Sequence, residues 1–165
     1  MRRRSVALLV VALLALVVVL YFNPPASFVD PGEYDTTTVT VSDENGTELA
    51  TVDVKLADTA EKRQVGLSRT DSLDDDAGML FVHPEADTHT YNMRNMSFPL
   101  DIVFVAPNGT ITEIHQADVP TLWPFERYSG DGKYVLEVEQ GWTSEAGVEP
   151  GDVVHIPENV TAQDS

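Results

Sequence analysis

The chain has 165 residues, no cysteine and a formal net charge of −17, with 27 acidic against 10 basic side chains. That balance excludes a nucleic-acid partner held through its phosphates, because no basic surface is present to release counterions. The missing thiols exclude disulfides, a lipidated cysteine and thiol catalysis. The carboxylates are scattered along the sequence, the pattern of a halophilic protein whose acidic surface stays solvated in concentrated salt.

Residues 1–5 form a basic start with Arg2, Arg3 and Arg4, and residues 6–22 carry no charge. As a helix rising about 1.5 Å per residue, that run just crosses a hydrocarbon core of roughly 30 Å. The arginines place its start in the cytoplasm and the rest of the chain outside. Leu20-Tyr21-Phe22 puts bulky groups where a signal peptidase needs small ones, so the segment is expected to be a retained single-pass transmembrane anchor in the cell membrane. Secretion after cleavage is the alternative. Asn23-Pro24-Pro25 ends the helix, residues 23–35 read as a linker, 36–157 as one β-rich domain and 158–165 as a tail.

Within the domain, threonine- and valine-rich strands are expected at 36–41 and 49–56, joined by Asp43-Glu44-Asn45-Gly46. Asp58 is the expected N-cap of a helix reaching about Ser68. A second hairpin is expected from 79–82 and 88–94 through His83-Pro84-Glu85, and a third from 100–106 and 110–116 around Asn108-Gly109. Residues 119–132 read as an irregular apolar stretch. Residues 134–139 alternate, with Tyr134, Leu136 and Val138 on one face and both glutamates on the other. A helical turn at 143–146 and a strand at 152–156 follow. The fold class is mostly β (α+β), a compact β-barrel or roll of short antiparallel strands with one or two short helices.

Gly66-Leu67-Ser68, Gly78-Met79-Leu80-Phe81, Met93-Arg94-Asn95-Met96, Pro99-Leu100-Asp101-Ile102-Val103-Phe104-Val105, Gly109-Thr110-Ile111, Tyr134-Val135-Leu136-Glu137-Val138, Gly141-Trp142 and Gly151-Asp152 follow one another in an order that resembles the domain of unknown function 192 family over residues 54–156. The resemblance implies a small, mostly β domain that often stands behind a signal or membrane anchor, with no established reaction. Many relatives carry an aromatic-Trp-Met run where this chain has Thr90-Tyr91-Asn92-Met93.

Candidate ligand-binding residues are Asp101, Arg94, Asn95, Trp123 and Tyr128. Asp101 opens an apolar strand, where a buried carboxylate needs donors or a cation; Arg94 is its expected partner, and the competing reading is a structural carboxylate. The stretch containing Trp123 and Tyr128 is a candidate pocket rim. His83 and His89 are the best metal pair, although none of the four histidines has the spacing of a zinc motif. Met79, Met93 and Met96 carry the thioethers a copper(I) carrier uses, set against their use as core filler. No cofactor is expected, with a metal as the open alternative. Asn45, Asn95, Asn108 and Asn159 begin glycosylation sequons. Without a Gly-x-Ser-x-Gly elbow, the leading expectation is a non-enzymatic, membrane-anchored binding or envelope-associated module whose partner is a small ligand or envelope protein. The alternative is a metal-dependent hydrolase or metal carrier using the histidines and Asp101.

Overall fold

The computed structural model describes residues 9–18, 28–121 and 124–163. The chain divides into two units, Met1–Asp30 and Pro31–Ser165. In the first, residues 9–18 form a helix, α1, with its leucine and valine side chains exposed. Among the described residues no helix is long and apolar enough to cross a membrane. Residues 6–8 and 19–22 of the expected anchor lie outside the described residues.

The second unit runs β1 (Thr36–Ser42), β2 (Glu48–Ala57), α2 (Ala60–Val65), β3 (Ala77–Tyr91), β4 (Leu100–Val105), β5 (Ile111–Ala117), β6 (Tyr128–Glu139), α3 (Trp142–Ala146) and β7 (Val153–His155). The strands form one curled sheet in the order β5-β4-β6-β3-β2-β1-β7. Its two edges meet at one end, where Thr110 bridges Val153 and the Val154 N–H donates to the Gly109 carbonyl at 2.8 Å. Gly109 has φ +89°, and a Cβ there would lie 2.6 Å from the Val154 carbonyl oxygen, so the meeting point requires glycine.

Two expectations about pairing are corrected. β2 and β3 run parallel, while the other neighbouring strands are antiparallel. A parallel pair needs a crossover, and the connection carrying α2 supplies it. The hairpin expected around His83-Pro84-Glu85 does not form. Residues 77–91 make one long strand that pairs with β6 on both sides of an irregularity between Val82 and Asp87. That pairing also draws residues 128–132 of the expected irregular stretch into β6. The sequence signal misled because a proline such as Pro84 marks a bulge as readily as a turn.

α2 begins one residue later than expected and stops at Val65. Thr59 is the N-cap, its hydroxyl accepting from the Lys62 N–H at 3.2 Å. Asp58 is buried and pairs with Lys62 at 2.9 Å. Its Oδ2 accepts from Gln163 Nε2 at 2.6 Å, and its carbonyl from the Gln163 N–H at 2.9 Å. The Asp35 carbonyl accepts from the Leu56 N–H at 2.8 Å, so both ends of the domain are fastened beside the end of β2.

Both faces of the sheet centre are covered, which explains why β4 is buried at every position. Val103, Val105, Leu80, Val82, Leu136 and Val138 point into the inner core, which Val148 and Val160 help to fill. Met79, Phe81, Ile102, Phe104 and Val135 point to an outer cluster with Leu67, Met93 and Tyr128. The outer cover includes a folded-over arm, residues 87–91 of β3 paired with 128–132 of β6. Thr112 Oγ1 donates to the Asp131 carbonyl at 2.6 Å, and His115 Nε2 lies 3.0 Å from the Ser129 carbonyl, binding the arm to β5. The arm lies close enough that a Cβ on Gly130 would fall 2.5 Å from the Phe104 ring.

Candidate functional site

Asp101 is fully buried, as its place in an apolar strand demands, but it does not meet Arg94. Its Oδ2 accepts from the Thr143 hydroxyl at 2.6 Å, the Thr143 N–H at 3.0 Å and the Gly141 N–H at 3.1 Å. These donors belong to the first turn of α3, so the carboxylate caps that helix from a neighbouring strand. Oδ1 is buried without a partner. Arg94 is exposed, and its backbone N–H donates to Asn92 Oδ1 at 3.0 Å. Asn95 sits at φ +63° in the exposed turn closed by Met96 N–H to the Met93 carbonyl, a conformation asparagine tolerates.

The outer cluster holds the most perturbed ionisable groups. Glu137 faces outward between Met79 on β3 and Ile102 on β4, its register partners. It is 6% exposed, and no hydrogen bond or ion pair reaches its carboxyl among the described residues. Burial pushes it up to about 8. Alternation places the two glutamates of β6 on one face; the arm and the turn after it decide that Glu137 is buried there while Glu139 is exposed.

Beside it, burial and then the charge of Glu137 push Tyr91 far up, against a lowering effect of Arg63. The Tyr91 hydroxyl shares a 2.9 Å hydrogen bond with His83 Nε2. Burial, followed by the charges of His89 and Arg63, holds His83 down at about 4, so its ring is neutral at physiological pH. Arg63 itself donates to the carbonyls of Asp58 (2.8 Å) and Val82 (2.9 Å).

His83 and His89 do come together, their rings stacked 3.5 Å apart and 13° from parallel. This brings them close without making them chelating. Nitrogen lone pairs lie in the ring planes, and two nearly parallel planes share no point near the rings where one ion would meet both. Among the described residues no group of three histidine, aspartate or glutamate side chains converges for a metal. Asp101 is on the other face of the sheet, turned to α3. Ser42 Oγ does lie 2.7 Å from His155 Nε2, a contact that links β1 to β7, but among the described residues no carboxylate is bonded to that imidazole.

A cleft of about 270 Å³ is lined by Met93, Asp118, Pro120, Thr121, Glu126 and Tyr128 among others. Tyr128 is buried, and its hydroxyl donates to Glu126 Oε2 at 3.1 Å; burial and that carboxylate raise it above the ordinary tyrosine range. Trp123 lies outside the described residues. The sequon asparagines Asn45, Asn95, Asn108 and Asn159 are all exposed. Asn45 and Asn108 stand at tight turns, Asn108 Oδ1 accepting from the Thr110 N–H at 3.1 Å.

Among solved structures, a candidate transcription regulator from Sinorhizobium meliloti 1021 is 31% identical, with a TM-score of 0.68 over 76% of this chain and 97% of that one. A protein of unknown function from Novosphingobium aromaticivorans DSM 12444 is 29% identical, with a TM-score of 0.66 over 81% and 98% of the two chains. No curated protein matches the chain. A family profile, DUF192, described as an uncharacterised ACR, matches residues 40–156, the span from β1 to the residue after β7. The chain belongs to the DUF192 family.

Proposed function

We propose that this protein is a membrane-tethered, extracytoplasmic binding module, anchored through residues 6–22 and presenting the Pro31–Ser165 domain to a salty medium. The observation that carries the binding reading is the cleft beside Tyr128. Met93, Pro120, Pro124 and Tyr128 of the arm border a half-open space of about 270 Å³ that also holds two carboxylates. Concave, partly apolar surfaces with a few placed polar groups are where small ligands bind. Among the described residues Asp118 and Glu126 are the only charged groups in the lining, so the ligand that fits carries an ammonium group or several hydroxyls on an apolar body.

The relative from Sinorhizobium meliloti is described as a transcription regulator; regulation by direct DNA binding finds little support in a chain of net charge −17. The test is thermal unfolding in molar KCl with a panel of alkylammonium compounds, polyamines and sugars. A ligand-dependent rise in Tm, lost in Glu126→Gln, supports the reading; no rise across the panel removes it. Fractionation of cells expressing the full chain tests the anchor: the protein should resist alkaline extraction and be cut by protease added outside.

A further inference from the structure

The chain has six asparagines, and four of them, Asn45, Asn95, Asn108 and Asn159, are followed two residues later by serine or threonine. All four are exposed and stand in turns, where a bulky polar group on the side chain is accommodated. The glycosylation motif is read as a unit, the amide together with the hydroxyl two residues on. In a folded domain all three residues therefore have to come away from the surface together, and the four motifs differ in whether they can.

In three of them the fold holds a residue down. Val160, between Asn159 and Thr161, is 5% exposed and belongs to the inner core. Gly109, between Asn108 and Thr110, is buried where the sheet edges meet, and Thr110 bridges Val153. Met96, between Asn95 and Ser97, packs against the outer cluster, and the Ser97 hydroxyl donates to the Asp71 carbonyl at 3.3 Å. Drawing any of these out uncovers apolar surface or opens the sheet closure.

Asn45-Gly46-Thr47 is different. All three residues are exposed at the tip of the β1-β2 hairpin, and a Cβ built on Gly46 would have no atom within 4 Å. The tip is fastened by Asp43, whose Oδ1 accepts from the Asn45 and Thr47 N–H groups at 2.9 and 2.7 Å. Exposed hydrogen bonds of that kind exchange with water at little net cost, so the tip opens while the β1-β2 pairing beyond it stays in place.

We propose that Asn45 is an N-glycosylation site, used on the folded domain in preference to the other three motifs. This rests on the extracytoplasmic reading above, because the motif is an acceptor in exported chains. The donor is an oligosaccharide carried on a lipid phosphate. Asn45 Nδ2 forms a bond to its anomeric carbon as the bond from that carbon to the phosphate oxygen breaks. The lipid phosphate leaves, and the amide gives one proton to a base of the transferase.

The test is mass spectrometry of peptides from the full chain isolated from its native host, with protease added to intact cells in parallel to establish which way the domain faces. The expected result is an Asn45 peptide heavier by a whole number of sugar residues in most copies, with Asn95, Asn108 and Asn159 at most sparsely modified. Asn45→Gln and Thr47→Ala should each remove the added mass, and Thr47→Ser should keep it. A domain that faces outward with Asn45 bare overturns the proposal and leaves the extracytoplasmic reading standing. Modification of the other three as complete as at Asn45 also overturns it, since the fold would then not select the site. A domain sheltered from external protease and bare at Asn45 overturns both.

Discussion

Replacing Glu137 with glutamine keeps the shape of the side chain and removes its charge, which isolates the cost of ionising a carboxyl inside the outer cluster. Burial raises this group from about 4.5 to about 8 in the folded protein. Between those values the folded state keeps a proton that the unfolded state gives up. The stability it contributes is therefore fully present below pH 4.5 and is lost as pH rises to 8, at about 1.4 kcal/mol per pH unit. His83 works the other way. Its value falls from 6.5 to about 4 on folding, so its contribution is present above pH 6.5 and is lost as pH falls toward 4. From pH 4.5 to 6.5 the two slopes oppose each other and nearly cancel; from 6.5 to 8 Glu137 acts alone, and the domain should lose roughly 2 kcal/mol. Urea unfolding of the Pro31–Ser165 unit in molar KCl, repeated from pH 4.5 to 9, measures this. The Glu137→Gln variant should instead gain stability up to pH 6.5 and stay level above it. Parallel curves for the two proteins above pH 6.5 would show that the carboxyl is not buried as described.

Gly130→Ala drives a methyl group into the Phe104 ring, where the gap is only 2.5 Å; a loss of about 1–3 kcal/mol in urea is expected, with slower-exchanging arm amides becoming unprotected. Asp101→Ala strips three hydrogen bonds from the start of α3 and should cost about 3 kcal/mol in urea unfolding. If stability is untouched, the carboxylate does not hold the start of α3. Removing residues 158–165 takes Val160 from the inner core and Gln163 from Asp58; a Tm lowered by several degrees for this small domain is the expected outcome, measured by calorimetry.

The strands that one sequence window specifies were readable: β1 and β2 around Asn45-Gly46, β4 and β5 around Asn108-Gly109, and the alternating half of β6. What failed depends on partners far along the chain. β3 is continuous across His83-Pro84-Glu85 because β6 resumes pairing with it at Asp87, a fact about residues 128–132. The burial of Asp101 followed from its apolar neighbours, but its donors, Gly141 and Thr143, lie forty residues on, and the nearer Arg94 was the natural and mistaken choice. Glu137 was legible only as a face, and which face is wet is decided by the folded-over arm. One clue was present: the unbroken apolar run of β4 means a sheet covered on both sides, which makes a charge on the adjoining strand unusual wherever it points.

The paired fastenings at the end of β2, Asp35 to Leu56 and Asp58 to Gln163, make the domain nearly a closed ring of chain. A short glycine-rich link between its two ends would bridge little distance, and new ends opened at the Asn45-Gly46 turn would leave every strand pair intact. Such a circular permutant should fold to the same sheet. The fold is thus indifferent to where its chain starts, so a tether could be moved to another turn to present a different side of the domain.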